Sequence, residues 1–132
     1  MRIGAADTDE RVVVIAEIGN NHEGDAGRAG EMVAAAAEAG ADVVKFQAID
    51  PHWLVRPEET ARIEQLQRFQ LDPGQFAALA DQARGLGMGF ACTPFDLDAV
   101  GWLEPLVDAF KIASGDNALD ARRILVGTVG RV

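Results

Sequence analysis

The sequence predicts an α/β fold built on a parallel sheet, and three observations support this class. Short apolar runs rich in valine and isoleucine alternate with amphipathic runs of helical periodicity. Glycine or polar turns separate the runs, and the connections are long enough to form right-handed βαβ units. Two architectures fit this pattern, an open doubly wound sheet and a stretch of a (β/α)8 barrel, and the connections alone do not choose between them.

The first part of the chain is predicted to contain two strands and one helix. Val12–Ile18 is a nearly continuous apolar run, which is typical of a strand buried on both faces. The loop Gly19–Gly24 leads to Asp25, a favourable N-cap for a helix that ends near Ala39. Ala41–Phe46 is predicted to form the second strand.

The rest of the chain continues this alternation after a longer connection. The segment Gln47–Glu59 contains two prolines, and we expect it to lack regular structure. Asp72 and the proline after it are typical of a helix start, and the glycines near position 86 end that helix. The other predicted elements are a short helix at Thr60–Phe69, a strand at Met88–Cys92, a helix at Asp96–Leu106 and a strand at Ala109–Ile112.

Length, composition and charge restrict the function classes. A chain of 132 residues forms one domain, and its net charge of −9 argues against general binding to nucleic acid or to an anionic membrane. Cys92 is the single cysteine, which excludes an intrachain disulfide, and it is predicted to be a small buried apolar residue. The apolar runs are too short for a transmembrane helix, and the N-terminus does not resemble a signal peptide. We therefore expect a cytoplasmic protein.

Each of the four predicted strands ends in, or is directly followed by, polar or ionisable residues. Ligands of parallel α/β folds gather at the carboxyl ends of the strands, so these residues are predicted to share one site. Two lysines there would hold a phosphate or carboxylate, and Glu17 would transfer a proton or orient a nucleophile. The alternative is structural, with Glu17 and Lys45 as an ion pair and Lys111 extending to solvent. The residues are Glu17, Lys45, Gln47, Thr93, Lys111, Ser114 and Asp116.

Other motifs are less informative. The glycine-flanked loop at 19–24 is not a dinucleotide-binding fingerprint, and the chain has no P-loop. His22 and His52 are too few and too far apart to form a metal site alone. His22 beside Glu23 lies in the first βα loop, where a hydrogen bond to the backbone and a contact to a sugar or metal are both open interpretations.

Four motifs, in order, resemble the N-terminal part of the sialic acid synthase (N-acetylneuraminate synthase) family. This resemblance covers most of the chain, from about Val12 to Asp116. It implies that the parallel sheet belongs to a (β/α)8 barrel. The motifs are IAEIGNNHEGD at 15–25, AGADVVKFQ at 39–47, CTPFD at 92–96 and FKIASGD at 110–116.

The resemblance implies a reaction and the residues that carry it. Members of this family condense phosphoenolpyruvate with an N-acetylated hexosamine, such as N-acetylmannosamine, to a nine-carbon 2-keto sugar acid and release phosphate. The family also uses a divalent metal, Mn or Mg, whose ligands lie on later strands that this chain lacks. Carried over by motif, Glu17 is the catalytic carboxylate, Lys45, Thr93, Lys111 and Ser114 bind phosphoenolpyruvate, and Gln47 and Asp116 contact the sugar.

Because family members are more than twice as long, residues 1–116 are expected to form the N-terminal half of the barrel, with about four βα units. Residues 117–132 form a divergent tail. Such a truncated chain is expected to be inactive alone. It is also expected to form a homo-oligomer, to pair with a complementary barrel half or to remain partly unfolded. The alternatives are another phosphoenolpyruvate-dependent keto-acid sugar synthase and a non-catalytic fragment or assembly module.

Overall fold

A computed structural model describes residues 1–114 of the chain as a parallel sheet flanked by helices. Each strand of this sheet pairs with the strand that follows it in the chain. A doubly wound sheet reverses its strand order at a switch point, so the order found here favours the barrel. The strands are β1 (Arg2–Ile3) and β2 (Ala6–Asp7), which form a separate antiparallel hairpin, and β3 (Ile15–Gly19), β4 (Val43–Ala48), β5 (Gly89–Pro94) and β6 (Ala109–Phe110), which form the sheet.

Two of the helices, α1 (Ala26–Glu38) and α4 (Pro73–Gly85), begin at the caps that the sequence predicts. Asp25 accepts a hydrogen bond from the Arg28 backbone N–H at 3.0 Å, and Asp72 forms a capping box with Gln75. Asp96 caps the last helix in the same way, through the Ala99 N–H. The helices are α1 (Ala26–Glu38), α2 (Pro51–Leu54), α3 (Thr60–Arg68), α4 (Pro73–Gly85) and α5 (Leu97–Leu103). No helix within residues 1–114 is long and apolar enough to cross a membrane.

The core lies between one face of the sheet and the helices. Phe46 of β4 stacks on Phe90 of β5 with ring centroids 5.3 Å apart, and Phe76 of α4 meets Phe46 edge-on. Alternate strand residues therefore point toward the helices, and the residues between them point to the opposite face. Lys45 lies on that opposite face, beside Val43.

The prediction of a buried strand over Val12–Ile18 is wrong at its start. The strand begins at Ile15, and Val12 is 84% exposed. The Asp42 side chain holds the preceding residues instead: it accepts from the Val14 backbone N–H at 2.8 Å and from the Arg11 guanidinium at 2.8 Å. An apolar run does not reveal this arrangement, because it depends on a carboxylate that lies 28 residues further along the chain.

Three further predictions need correction. The proline-containing segment 47–59 holds the short helix α2, because Asp50 caps it and Pro51 suits its first position. The last helix ends at Leu103 rather than Leu106, since Pro105 lacks the N–H that continues a helix. β6 is limited to two residues and does not extend to Ile112. Residues 115–132, which include the predicted tail, lie outside the described residues.

Candidate functional site

Lys45 lies at the centre of a polar group on the face of the sheet away from the helices. Its Nζ forms an ion pair with the Glu17 carboxylate, and the two residues are direct partners in the β3–β4 register. The Nζ also lies 3.4 Å from the Thr93 hydroxyl oxygen, on the next strand. The structure therefore brings together three of the predicted site residues, one from each of β3, β4 and β5.

Burial differs sharply within this group. The Lys45 side chain is only 11% exposed, whereas the Glu17 side chain is 50% exposed. Thr93 is fully buried. A buried ammonium needs anionic or hydrogen-bonding partners, and it offers three N–H donors. Within residues 1–114, Glu17 and Thr93 are its polar partners. An anion that approaches from the exposed side of Glu17 would therefore meet a fixed and largely desolvated positive charge.

Gln47 extends this group toward the end of the sheet. It pairs with Thr93 in the β4–β5 register, and its Oε1 accepts a hydrogen bond from Asn20 Nδ2 at 3.2 Å. Gly19, at a φ of 56°, turns the chain between Glu17 and Asn20. A methyl group at Gly19 would lie 3.2 Å from Glu17 Oε1 and 3.5 Å from Gln47 Nε2, so the two side chains are close neighbours. Asn20 is not among the predicted site residues, although its position after the first strand is a usable signal.

The remaining predicted residues are placed differently. The Lys111 backbone N–H donates to the Cys92 carbonyl at 3.0 Å, which fixes its backbone directly after β6. Its side chain is exposed and forms no ion pair within the described residues. Ser114 follows and is also exposed, whereas Asp116 lies outside the described residues. Lys45 and Lys111 are the chain's two lysines.

His22 is a buried residue of the first loop. Its Nδ1 accepts a hydrogen bond from the Gly24 N–H at 3.1 Å, while Nε2 has no hydrogen-bond partner among residues 1–114. Burial lowers the pKa of the imidazole, and the Gly19 carbonyl offsets part of this effect. Glu23 is paired with Arg28 at 2.8 Å. The Gly24 N–H therefore gives His22 the backbone hydrogen bond that was one of its two open interpretations.

The described residues do not fit a divalent metal. Within residues 1–114, no group of three or more histidine, cysteine, aspartate or glutamate side chains is arranged to hold an ion. Cys92 is buried in the core, as predicted, and burial raises the pKa of its thiol to about 12. It is therefore not a nucleophile at neutral pH. No chemical step is assigned to a metal or to this thiol.

A second polar region adjoins Gln47. A cleft of about 500 Å³ opens between the end of β4 and the first turns of α4 and α5. Asn20, Gln47 and Trp102 are among the residues that line it. Trp102 also packs on Phe76, with ring centroids 5.2 Å apart. This cleft was not predictable from the sequence, because its walls come from segments that are distant along the chain.

Comparison with known proteins identifies related enzymes. The chain is 37% identical over 117 residues to the N,N'-diacetyllegionaminic acid synthase of Legionella pneumophila, covering 78% of this chain and 33% of that protein. It is 34% identical to the N-acetylneuraminate-9-phosphate synthase of Mus musculus, covering 79% and 33%. The chain thus spans about a third of the length of the curated relatives it matches.

Solved structures and a family model agree with these relatives. The N-acetylneuraminic acid synthetase of Leptospira borgpetersenii matches with a TM-score of 0.75 and 32% identity, covering 80% of this chain and 37% of that chain. A spore coat polysaccharide biosynthesis protein of Bacillus subtilis matches with a TM-score of 0.60 and 35% identity, covering 78% and 29%. The model of the NeuB family matches residues 32–123. The chain, with its parallel sheet and its relatives among sialic and legionaminic acid synthases, therefore belongs to the NeuB family.

Proposed function

We propose that this chain forms the phosphoenolpyruvate-binding part of a synthase that joins phosphoenolpyruvate to an N-acetylated hexosamine. The product is a nine-carbon 2-keto sugar acid, and phosphate is released. The observation that carries the proposal is the nearly buried Lys45 ammonium, held between Glu17 and Thr93 on adjacent parallel strands. The family relationship supports the same reaction class, because the named relatives are sialic and legionaminic acid synthases.

Lys45 binds the anionic substrate by exchanging partners. In the free chain its ammonium faces the Glu17 carboxylate. A carboxylate or phosphate oxygen of phosphoenolpyruvate takes that position, and the Thr93 hydroxyl donates a second hydrogen bond. Lys111, exposed after β6, adds a second positive charge from the next strand along the rim. Two cations compensate the charge that a substrate with a carboxylate and a phosphate brings into the site.

Glu17 then becomes available for proton transfer. The enol carbon of phosphoenolpyruvate attacks the aldehyde carbon of the open-chain sugar and forms the new carbon–carbon bond. Water adds to the resulting oxocarbenium-like carbon, and one of its protons passes through the Glu17 carboxylate to the alkoxide oxygen that the aldehyde has become. The carbon–oxygen bond to phosphate then breaks, the phosphate takes the second proton, and the 2-keto group is left. Half of the Glu17 side chain is exposed, so water reaches this carboxylate.

The ion pair alone does not show that Lys45 binds a substrate, because a structural link between two strands would have the same geometry. Calorimetric titration with phosphoenolpyruvate separates the two interpretations. We expect the 132-residue chain to bind it and Lys45→Met to weaken binding by roughly 10- to 150-fold, the equivalent of about 1.5–3 kcal/mol for a charged hydrogen bond.

Arg2→Met is the matched control for this titration. It also replaces a cation by methionine, but Arg2 is an exposed residue of the N-terminal hairpin, away from the Lys45 group. Equal affinity of the Arg2→Met chain and the unmodified chain is expected. Equal affinity of the Lys45→Met chain, or no binding by the folded unmodified chain, would overturn the proposal.

A further inference from the structure

The N-terminal hairpin packs on the sheet beside Lys45, and the inference drawn from this rests on the proposed function. We propose that Ile3 of the hairpin is a positioning residue that forms the floor of the phosphoenolpyruvate site. Ile3 keeps water away from the lower part of the Lys45 side chain and so holds the ammonium between Glu17 and Thr93. The affinity for phosphoenolpyruvate then depends on a segment at the opposite end of the strands.

Lys45 lies on the face of the sheet that the helices do not cover. The helices pack against the other face, where Phe46 and Phe90 belong to the main core. The Lys45 side chain is nevertheless only 11% exposed, and Val43, its neighbour on the same face, is fully buried. Another part of the chain therefore covers this face near Lys45.

Among residues 1–114, Ile3 supplies such cover. It is buried and forms a small apolar cluster with Val43 and Ala91. Both are direct neighbours of Lys45, because Val43 precedes it by two residues on the same face and Ala91 is its partner in the β4–β5 register. The methylene groups of lysine commonly pack on apolar surface of this kind while the charged end reaches a polar partner.

Close backbone contacts fix the hairpin in this place. A methyl group at Gly4, in the hairpin turn, would lie 2.8 Å from the Gly89 Cα at the start of β5. A methyl group at Gly89 would in turn lie 3.0 Å from the Ile3 carbonyl oxygen. Neither position has room for a side chain, so the hairpin backbone lies directly on the sheet and Ile3 has a defined position beneath Lys45.

The floor matters because Lys45 carries a charge. Water around its side chain would weaken the attraction between the ammonium and an anion, since electrostatic interactions are stronger where solvent is excluded. It would also let the side chain adopt other rotamers, and binding would then have to order them. Loss of the floor should therefore lower the affinity for phosphoenolpyruvate without removing a group that contacts it.

The test measures how fast the two lysine ammonium groups exchange protons with water, in a sample with 15N at the lysine side-chain nitrogens. Lys45→Met assigns the two signals, and we expect slower exchange at Lys45 than at the exposed Lys111. Ile3→Ala should raise the Lys45 rate roughly three- to tenfold and leave the Lys111 rate unchanged. In calorimetric titration, Ile3→Ala should weaken phosphoenolpyruvate binding by a similar factor.

Ile63→Ala is the matched control, because Ile63 of α3 is 8% exposed, against 5% for Ile3, and lies outside the Ile3 cluster. It removes the same atoms and should change neither the Lys45 exchange rate nor the affinity, whereas a purely structural role would give both alanine variants the same result. Ile3→Leu, with an apolar side chain of equal volume, should resemble the unmodified chain. Arg2, whose side chain is 78% exposed, points away from the cluster, so Arg2→Met leaves the floor in place.

An unchanged Lys45 exchange rate in folded Ile3→Ala would overturn the inference, as would an unchanged affinity for phosphoenolpyruvate. If Ile3→Ala does not fold, Ile3→Val decides the same question, since it is one methylene smaller and should give a smaller rise in the exchange rate; no rise would again overturn the inference. If the unmodified chain binds phosphoenolpyruvate and only the Ile3 effects are missing, the proposed function stands. If the folded unmodified chain does not bind it, both proposals fail.

Discussion

Lys45 and Glu17 are direct register partners on adjacent parallel strands, and their side chains form an ion pair on the face of the sheet that is away from the helices. The lysine side chain is largely buried, while the glutamate is half exposed. Removing Glu17 and removing Lys45 should therefore affect the stability of the fold to different extents. Removing Glu17 leaves a buried charge without its anion, and removing Lys45 leaves a carboxylate that water can solvate.

We predict that Glu17→Gln lowers the free energy of unfolding by about 1–2 kcal/mol, less than for a fully buried pair because Glu17 is half exposed. Lys45→Met should cost less, since methionine fills the same space without a charge. Urea unfolding of both single variants and the double variant gives the coupling energy. A coupling energy near zero would contradict the ion pair.

Thr93 is expected to affect binding more than folding. Thr93→Val preserves the shape of a buried side chain and removes a hydroxyl whose contact with Lys45 is long, at 3.4 Å, so stability should change by less than about 1 kcal/mol. Phosphoenolpyruvate affinity should fall several-fold, and Thr93→Ser should retain most of it. Calorimetric titration and urea unfolding measure the two effects. Equal affinities for the valine and serine variants would argue against a hydroxyl contact to the substrate.

Two glycines of similar backbone geometry allow a matched test of the first loop. Gly24 and Gly40 have φ values of 82° and 81°. A methyl group at Gly24 would lie 2.0 Å from the Arg68 carbonyl oxygen, whereas nothing lies within 4 Å at Gly40. Gly40→Ala should therefore cost only the backbone strain of about 1–2 kcal/mol, and Gly24→Ala should cost clearly more. Thermal unfolding measures the stability that each variant loses. Equal losses of stability would mean that the first loop does not pack against α3.

Acid stability should depend on Asp42. Hydrogen bonds from Arg11 and from the Val14 N–H lower the pKa of this carboxyl from 3.8 to about 2. The pKa of Asp42 is lower in the folded chain than in the unfolded chain. The contribution of Asp42 to the free energy of unfolding is therefore complete above about pH 4 and is lost as the pH falls toward 2.

Thermal unfolding across this pH window checks the Asp42 prediction. Asp42→Asn should be less stable than the unmodified chain at pH 7, and the difference between them should shrink as the pH falls from about 4 to 2. Asp81→Asn, at an exposed aspartate whose nearest cation is 3.6 Å away, should show no such trend. A constant difference between Asp42→Asn and the unmodified chain would show that Arg11 does not hold this carboxylate in solution.

The group around Lys45 was predictable from sequence because it follows from local rules. Apolar runs mark the strands, parallel strands share one carboxyl edge, and Glu17, Lys45 and Thr93 each lie at the end of such a run. Alternation along a strand then places Lys45 and Gln47 on the same face. The helix starts at Asp25 and Asp72 were predictable for the same reason, since capping is a short-range interaction.

The features that were not predicted depend on contacts between distant segments. The N-terminal hairpin has strands of only two residues, too short to show a periodic pattern. Val12 is exposed because Arg11 binds Asp42, a pairing that no local pattern encodes. The approach of Gly24 to Arg68 depends likewise on where α3 ends relative to the first loop.

Lysine-selective isotope labelling tests the central claim most directly. The chain has two lysines, so a [15N]lysine-labelled sample gives two backbone amide signals, and Lys45→Met assigns them. We predict that phosphoenolpyruvate shifts the Lys45 signal in a saturable manner and that the Arg2→Met chain responds in the same way. An unchanged Lys45 signal at millimolar phosphoenolpyruvate, in a sample whose spectrum is that of a folded protein, would contradict the account.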